Sequence, residues 1–519
     1  MNRPTRFASV ALAGTLTAAL AAACGSSSAP SSSPGTSSAS SATNATSAST
    51  AVSAGSGGLL KVALPAGVMT SLSPQPYGVN SNWFSRAIYD PVVNLSGTTP
   101  TPGLATSWTF APGDSSLTLT LRSGVKFSDG STLAASDVVW NINWLKQATT
   151  GAQAFALWQE VTATAPTPTT VTLAFAHPVP EIFGMLADAL IVKPNGQTKG
   201  IGTGPFVVKA FTPGTSLTLT RNTAYWQPDE PKLSGIDFTN YPDASSATLA
   251  LKSGTVNMIV GPQLTAVAGL KSSGFTVTAA PATGNYDLLF NTTSAPLNNS
   301  LVREALSLAF NRQQFVQTAL MGDGAVSYSI WPPDSPAFTT AGNSGSFDLA
   351  KAKQLLTQAG VGPFTLNVET PAFLPQTTFL PIYQQNLATI GVTLNIKTID
   401  PATWASAAST GNFPQALAHI YQFANSDPGL LFIAFPFRPT ANAEHFTATT
   451  YTQAVAQAST WQAVSARISD YSKIGDYVKQ EAFMLPLATY SNFYATASNV
   501  SGFVSGADSI PVYSAMAVK

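Results

Sequence analysis

From residue 59 onward the hydrophobic pattern of this chain keeps switching between a period of two and a period near 3.6, and that interleaving narrows the possible folds more than any other feature. Ser116-Leu117-Thr118-Leu119-Thr120-Leu121-Arg122 alternates strictly, as do residues 170–175 and 216–221, and each reads as a half-buried strand. Helical spacing lies between them. Ser136 is placed to cap a helix carrying Val138, Ile142 and Leu145, and Asp348 to cap another through Leu349, Ala352, Leu355, Leu356 and Ala359, closed by Gly360. A third helix is expected from about 301 to 308, followed by Asn311-Arg312 and a further helical stretch to Met321. Such interleaving specifies a mixed α/β or α+β fold rather than a sandwich or a bundle. Residues 59–519 are long enough for two or three domains.

Charge narrows the function. Lys plus Arg number 24 and Asp plus Glu 24, only 9% of residues are charged, and no basic stripe points to nucleic acid. Hydrophobic residues reach 45%, yet no second apolar run of membrane length follows the leader.

The leader itself is basic at Arg3 and Arg6, apolar from there to Ala23, and ends in Ala21-Ala22-Ala23-Cys24-Gly25. It reads as a signal peptide over residues 1–23. Cys24 is the only cysteine, so a disulfide within the chain is excluded, and its place after small residues is where a bacterial lipoprotein keeps its acylated (palmitate-bearing) cysteine. Ala21 stands where such sites usually carry Leu. Residues 25–58 are almost entirely Ser, Ala, Thr, Gly and Pro without charge or aromatic rings, a composition that makes a tether. A flexible tether of that length spans about 30 Å on average.

No catalytic signature emerges. The chain has no nucleophile elbow and no H-E-x-x-H, and its three histidines, His177, His419 and His445, are not at metal-ligand spacing. Gly202-Thr203-Gly204 lacks a third glycine and runs into Pro205, unlike a phosphate-binding loop. No cofactor or metal is expected. Paired carboxylates need not be close in sequence, so a secreted hydrolase is the alternative from another class.

The order of motifs is similar to that of the family 5 extracellular solute-binding proteins, the oligopeptide-, dipeptide- and nickel-binding subunits of ABC importers. The resemblance begins with Ala87-Ile88-Tyr89-Asp90-Pro91-Val92, Pro102-Gly103-Leu104-Ala105-Thr106-Ser107-Trp108 and Leu119-Thr120-Leu121-Arg122-Ser123-Gly124-Val125-Lys126-Phe127-Ser128-Asp129-Gly130. It continues through Gly202-Thr203-Gly204-Pro205-Phe206, Arg221-Asn222-Thr223-Ala224-Tyr225-Trp226 and Val302-Arg303-Glu304-Ala305-Leu306. Read from the residues alone, Gly204-Pro205, Asp129-Gly130, Asn222 and Tyr225-Trp226 supply turns and aromatic packing, and Gly254 ends a helix; they build the fold without making the site.

The resemblance implies a periplasmic-binding-protein-like fold of three domains in two hinged lobes (the class II, cluster C architecture), with domain I from 59–89, 180–281 and 486–519, domain II from 90–179 and domain III from 282–485. It implies a monomeric, lipid-anchored receptor on the outer face of the cytoplasmic membrane, which takes a peptide or other small-molecule ligand between lobes and hands it to permease subunits. Ligand contacts carried over are Asn80, Ser81, Asn82, Trp83 and Phe84 in domain I, Asn285 and Tyr286 at the crossing, and Tyr421, Gln422, Phe423, Asn425 and Asp427 in domain III, with Trp404 and Arg438 added. Peptide binders of the family place an aspartate three residues before the Asp/Glu-Pro pair, where it meets the peptide ammonium; here Ala424 holds that place before Asp427-Pro428. A buried ammonium needs a countercharge. Modified peptides, a cyclic signal molecule or an oligosaccharide are therefore alternative ligands, as is a metal chelate bound through His419 or His445.

Overall fold

The computed structural model describes residues 57–75, 83–150, 152, 154–422, 427–506 and 509–519. The leader, Cys24 and almost all of the tether lie outside the described residues, as do Asn80, Ser81, Asn82, Phe423, Ala424 and Asn425.

The alternating segments form strands at Ser116–Leu121, Thr170–Phe175 and Ser216–Arg221. Their apolar residues Leu117, Leu119, Val171, Leu173, Leu217 and Leu219 are all buried. Asp348 caps the helix Leu349–Gln358, its Oδ1 accepting from the Lys351 amide at 2.8 Å, and Gly360 follows at φ +68. The helix expected to be capped by Ser136 spans Ala135–Leu145 instead, with Ala134 at its N-cap. No hydroxyl caps it; the Asp137 carboxylate reaches back and accepts from the Ala134 amide at 2.9 Å. Ser300–Leu308 is capped by Asn299, and Arg312–Thr318 by Asn311, so that second helix stops short of Met321.

Three main sheets organise the body. A seven-stranded mixed sheet runs in the order Thr276–Ala279, Phe493–Thr496, Met258–Val260, Leu59–Pro65, Gly235–Tyr241, Ser216–Arg221, Phe206–Thr212. A five-stranded sheet runs Val392–Ile399, Phe364–Pro371, Ala416–Gln422, Gly284–Phe290, Met484–Tyr490. The third is antiparallel, Ala105–Phe110, Ser116–Leu121, Thr170–Phe175, Val161–Thr167, and packs on the helices Ala135–Leu145 and Ile182–Asp188. The five-stranded sheet is covered on both faces. Leu288 and Phe290 face the helices that carry Val302, Phe315, Leu355 and Tyr383, while Leu289 faces those that carry Ala407, Tyr451 and Tyr471.

The crossing expected at residue 486 falls inside the strand Met484–Tyr490, the whole of which belongs to the five-stranded sheet. Pro486 sits where the register slips, with Tyr286 opposite Ala488 and Asp287 opposite Pro486. Proline lacks the amide a regular ladder needs and is tolerated at such a bulge, so a strand continues through a residue that reads as a break.

The motifs shared along the first half converge on Asp90, which is buried between the seven-stranded and four-stranded parts. Its Oδ1 accepts from the Tyr225 hydroxyl at 2.9 Å, and its Oδ2 from Thr203 Oγ1 at 2.9 Å and Trp226 Nε1 at 3.0 Å. Burial nonetheless pushes the carboxyl up to about 6. Gly202 and Gly204 lie against the Ile88 carbonyl, where a Cβ would come within 2.2 and 2.6 Å of the oxygen. These residues are scaffolding, as their turn chemistry predicts.

Candidate functional site

The strands Leu59–Pro65, Gly235–Tyr241 and Met258–Val260 are parallel, so their carboxyl ends share one edge of the seven-stranded sheet. The five-stranded sheet has the same arrangement: Phe364–Pro371, Val392–Ile399 and Ala416–Gln422 are parallel, Pro371 ends opposite Ile399, and Ala416–Gln422 runs on past them to Gln422. The antiparallel strand Gly284–Phe290 begins at that edge with Gly284, and Met484–Tyr490, running in the same direction as Ala416–Gln422, ends there with Tyr490. The sheets are joined there by residues 280–283 and 491–492, which connect Ala279 to Gly284 and Tyr490 to Phe493. Both carboxyl edges therefore meet the same two crossings. In open α/β sheets the crevice outside the carboxyl ends of the strands is where ligands bind.

Asn285 and Tyr421, adjacent across the ladder, lie just beneath this edge. The Asn285 amide donates to the Tyr421 hydroxyl oxygen at 2.6 Å and to the Ser329 carbonyl at 2.9 Å, and Tyr421 donates to the Ile330 carbonyl. Both side chains are buried, so their first task is to hold the 329–330 segment on the sheet. Tyr286 points to the opposite face, edge-on to Phe315 and Tyr490. Gln422 ends its strand, half-buried, with its Oε1 buried and without a hydrogen-bond partner among the described residues. Trp404 donates to the Ala418 carbonyl at 2.8 Å and meets Phe373 edge-on at 5.3 Å; Phe373, on the loop leaving Pro371, is 56% exposed.

On the other side, Trp83 and Phe84 sit in the core of the seven-stranded part. Trp83 is edge-on to Tyr494 and its carbonyl accepts from Tyr513, while Phe84 packs on Phe238. The Trp83 Nε1 is buried without a hydrogen-bond partner among the described residues. Arg438 is exposed, its guanidinium 5.5 Å from the Phe435 ring and its Nε donating to the Ile433 carbonyl.

The chain matches the family model described as bacterial extracellular solute-binding proteins, family 5 middle, over residues 99–438. It belongs to that family. Among curated relatives, the glutathione-binding protein GsiB of Escherichia coli K12 is 25% identical over 433 residues, covering 77% of this chain and 82% of its own. Among solved structures, the ABC transporter-associated periplasmic binding protein DppA of Helicobacter pylori, in complex with the peptide STSA, superposes with a TM-score of 0.76 at 22% identity, over 89% of this chain and 98% of its own. The ABC transporter substrate-binding protein CtaP of Listeria monocytogenes does so with a TM-score of 0.78 at 20% identity, over 89% and 99%. These likenesses carry the two-lobed periplasmic-binding-protein fold.

Sequence reasoning about this solute-binding protein missed its buried charges. His419, weighed as a metal ligand, has its Nδ1 2.9 Å from Asp287 Oδ1, and His445 has its Nε2 3.1 Å from the Gly411 carbonyl. Among the described residues no three His, Cys, Asp or Glu side chains gather as a metal site would require. Asp287 is wholly buried and its carboxyl is pushed up by burial against the opposing pull of His419. Glu444, also wholly buried, has both carboxylate oxygens without a hydrogen-bond partner among the described residues and is held by burial well above the usual carboxylate range. Nothing in the local sequence of either distinguishes it from a surface acid. A cavity of about 580 Å³ lined by Arg312, Tyr328 and Lys479 opens beside Met484, away from the carboxyl edge.

A second missed cluster links separate parts. Glu181, just before the helix Ile182–Asp188, lies 3.2 Å through Oε1 from Arg467 Nη2 on the helix Val464–Glu481. Tyr471 donates to the same oxygen at 3.0 Å, and Asp427 Oδ1 stands 3.5 Å from Arg467 Nη2. Burial, with Asp427 nearby, pushes Glu181 up to about 7 against the pull of Arg467. Asp427 also accepts from the Gly429 amide at 2.9 Å, the capping role its place before Pro428 predicts.

Proposed function

We propose that this protein is the lipid-anchored receptor of an ABC importer, capturing a peptide or peptide-like solute in the crevice between its two carboxyl edges and passing it to the permease. The observation that carries this reading is the convergence of both edges on the two crossings at 280–283 and 491–492, in a chain of the solute-binding family. A crevice whose walls are joined by two short crossings can close around a solute and exclude water, so that a few hydrogen bonds and aromatic faces suffice for binding. The names of the relatives favour small peptides: one binds glutathione, and another holds a tetrapeptide. The ligand contacts we assign are Asn80, Ser81, Asn82 and Trp83 from one part of the chain and Gln422, Phe423 and Asn425 from the other, with Trp404 and Phe373. The ligand is released unchanged.

Native mass spectrometry of the purified protein with co-purified ligand, followed by calorimetry with glutathione and short peptides, tests the reading. Recovery of an intact peptide-like solute supports it; recovery of a chemically altered one moves the chain out of the receptor class. Ala424 adds a condition: N-acetylation of a bound peptide is expected to cost little, and a loss above about 3 kcal/mol shows that another carboxylate pairs the ammonium. The anchor is tested separately. Cys24→Ser is expected to abolish acylation and move the protein from the membrane pellet to the soluble fraction, and unchanged partition refutes a lipid anchor at Cys24.

A further inference from the structure

We propose that Glu181, Asp427, Arg467 and Tyr471 form a latch by which the four-stranded domain closes on the five-stranded domain, giving the small domain a function in lobe closure. The partners come from bodies with separate cores. Glu181 leads into Ile182, Met185 and Leu186, which pack in the core of the four-stranded sheet. Tyr471, one helical turn beyond Arg467, packs in a core of the five-stranded sheet. They are far apart in sequence, and no crossing of the chain runs between these two bodies at the contact.

The fit is close. Arg467 donates through Nη1 to the Pro180 carbonyl at 3.2 Å as well as pairing with Glu181, so it grips both backbone and side chain of the opposite domain. Gly429 is placed where a Cβ would lie 2.2 Å from Glu181 Oε1 and 2.6 Å from the Tyr471 hydroxyl; only a residue without a side chain admits the contact. Around it runs a rim of half-buried rings: Trp461 is edge-on to Phe110 at 5.5 Å and tilted to Phe175 at 5.8 Å, while Leu430 and Ile433 pack on the four-stranded core. A polar centre with a modest apolar rim resembles an interface between domains that part, not a continuous core.

Its electrostatics make the contact reversible. Glu181 must leave water to reach Arg467, which already stands 3.5 Å from Asp427 on its own side, and parting the domains returns the Glu181 carboxyl to solvent. Burial of the rim favours closure and desolvation of Glu181 opposes it. The two states are therefore close in free energy, as an element that is to respond to a solute must be.

The inference rests on the proposed function for its purpose, but its test needs no solute. Spin labels on the full chain at Thr164→Cys and Gln453→Cys, exposed positions on the two domains, with Cys24→Ser as background, report the separation by pulsed electron resonance in the unliganded protein. The parent is expected to show a short, narrow distance. Gly429→Ala, which wedges the latch, and Arg467→Met, which removes the shared cation, are each expected to lengthen the mean by more than about 5 Å or broaden it into two populations, with the melting temperature of the Gly429→Ala protein unchanged. Should Arg467→Met fail to fold, Gly429→Ala decides alone. A folded variant whose distribution overlays the parent's overturns the latch, whatever the peptide calorimetry shows; absence of peptide binding with an opened Gly429→Ala protein overturns the assigned solute and leaves the latch standing.

Discussion

The four-stranded domain is fastened at two places, and the two fastenings differ in kind. At Asp90 it meets the seven-stranded domain through three neutral donors, Thr203, Tyr225 and Trp226, around one carboxylate. The backbone joins in: the Ile191 amide donates to the Asp90 carbonyl, and Pro91 bridges to Leu190. At Glu181 it meets the five-stranded domain through one guanidinium shared by two acids, with no backbone ladder. Neutral hydrogen bonds inside a doubly connected junction cannot be exchanged for water without local unfolding. An ionic contact between separately folded cores can. The first junction holds the four-stranded sheet on the seven-stranded one; the second is the contact proposed above to part.

The sharpest way to break this comparison uses glycine at both places. Gly204→Ala puts a Cβ 2.5 Å from the Ile88 carbonyl carbon, a backbone atom with nowhere to go, and is expected to lower the stability of the folded body by about 3 kcal/mol in urea unfolding. Asp90→Ala, which orphans the buried Thr203 hydroxyl and the half-buried Tyr225 and Trp226 donors, is expected to cost at least as much. Gly429→Ala meets first the Glu181 side chain, at Oε1 and Cγ, and the Tyr471 hydroxyl, with no backbone atom as near, and parting the domains moves Glu181 away, so its effect on unfolding is expected to stay below about 1 kcal/mol. Equal losses at Gly204 and Gly429 would remove the distinction between a permanent and a separable junction.

A proton tests the same contrast at intermediate size. The titratable and charged groups facing Glu181 are Asp427, Arg467 and Tyr471. Closed, its carboxyl is pushed up to about 7; with the domains apart it titrates as a solvated glutamate, near 4.3. Closing therefore takes up a proton between those values. Closure is strongest below about pH 4.5, weakens as pH rises to about 7, and is level above that. The labelled protein should open progressively across this window, and Glu181→Gln, which cannot ionise, should show no such trend. A wild-type distance that is flat from pH 4.5 to 8 contradicts the assignment of Glu181 to the latch.

Much of the scaffold was legible because its causes are local. Alternation located the strands at 116–121, 170–175 and 216–221, since one buried face leaves only one register. Gly202, Gly204, Asn222 and Tyr225-Trp226 read as structural, and they are found around Asp90. Ser136 misled because an acid at the third helical position can do the work of a capping hydroxyl, and Pro486 because a bulge can carry proline through a strand. The crevice was harder. Asn285 and Asp287 share a strand face with Leu289, so polarity alone does not distinguish a residue beneath the edge from one that opens on it. Trp83 and Phe84 read equally well as crevice or core, and the structure buries them at 5% and 0% exposure. Glu181 and Arg467 lie 286 residues apart, and no spacing rule reaches across that interval.

The finest test deletes one hydroxyl from each junction. Thr203→Val removes a donor to Asp90 Oδ2 from a site where Tyr225 and Trp226 remain, so the carboxylate keeps two partners and the change is nearly isosteric. The expected loss is about 1 kcal/mol, the net worth of one buried hydrogen bond strengthened by charge, and it should appear in unfolding while the inter-domain distance stays fixed. Tyr471→Phe removes a donor to Glu181 Oε1 while Arg467 remains, and its ring keeps its stacking on Phe432 at 5.6 Å. Its effect on unfolding should be under about 0.5 kcal/mol, because water replaces the lost donor once the domains part. The loss belongs instead to closure, as a small shift of the labelled distances toward the open population, larger at pH 8, where Glu181 is ionised, than at pH 5. If Tyr471→Phe instead lowers unfolding stability as much as Thr203→Val and leaves the distances alone, Glu181 is bound as permanently as Asp90.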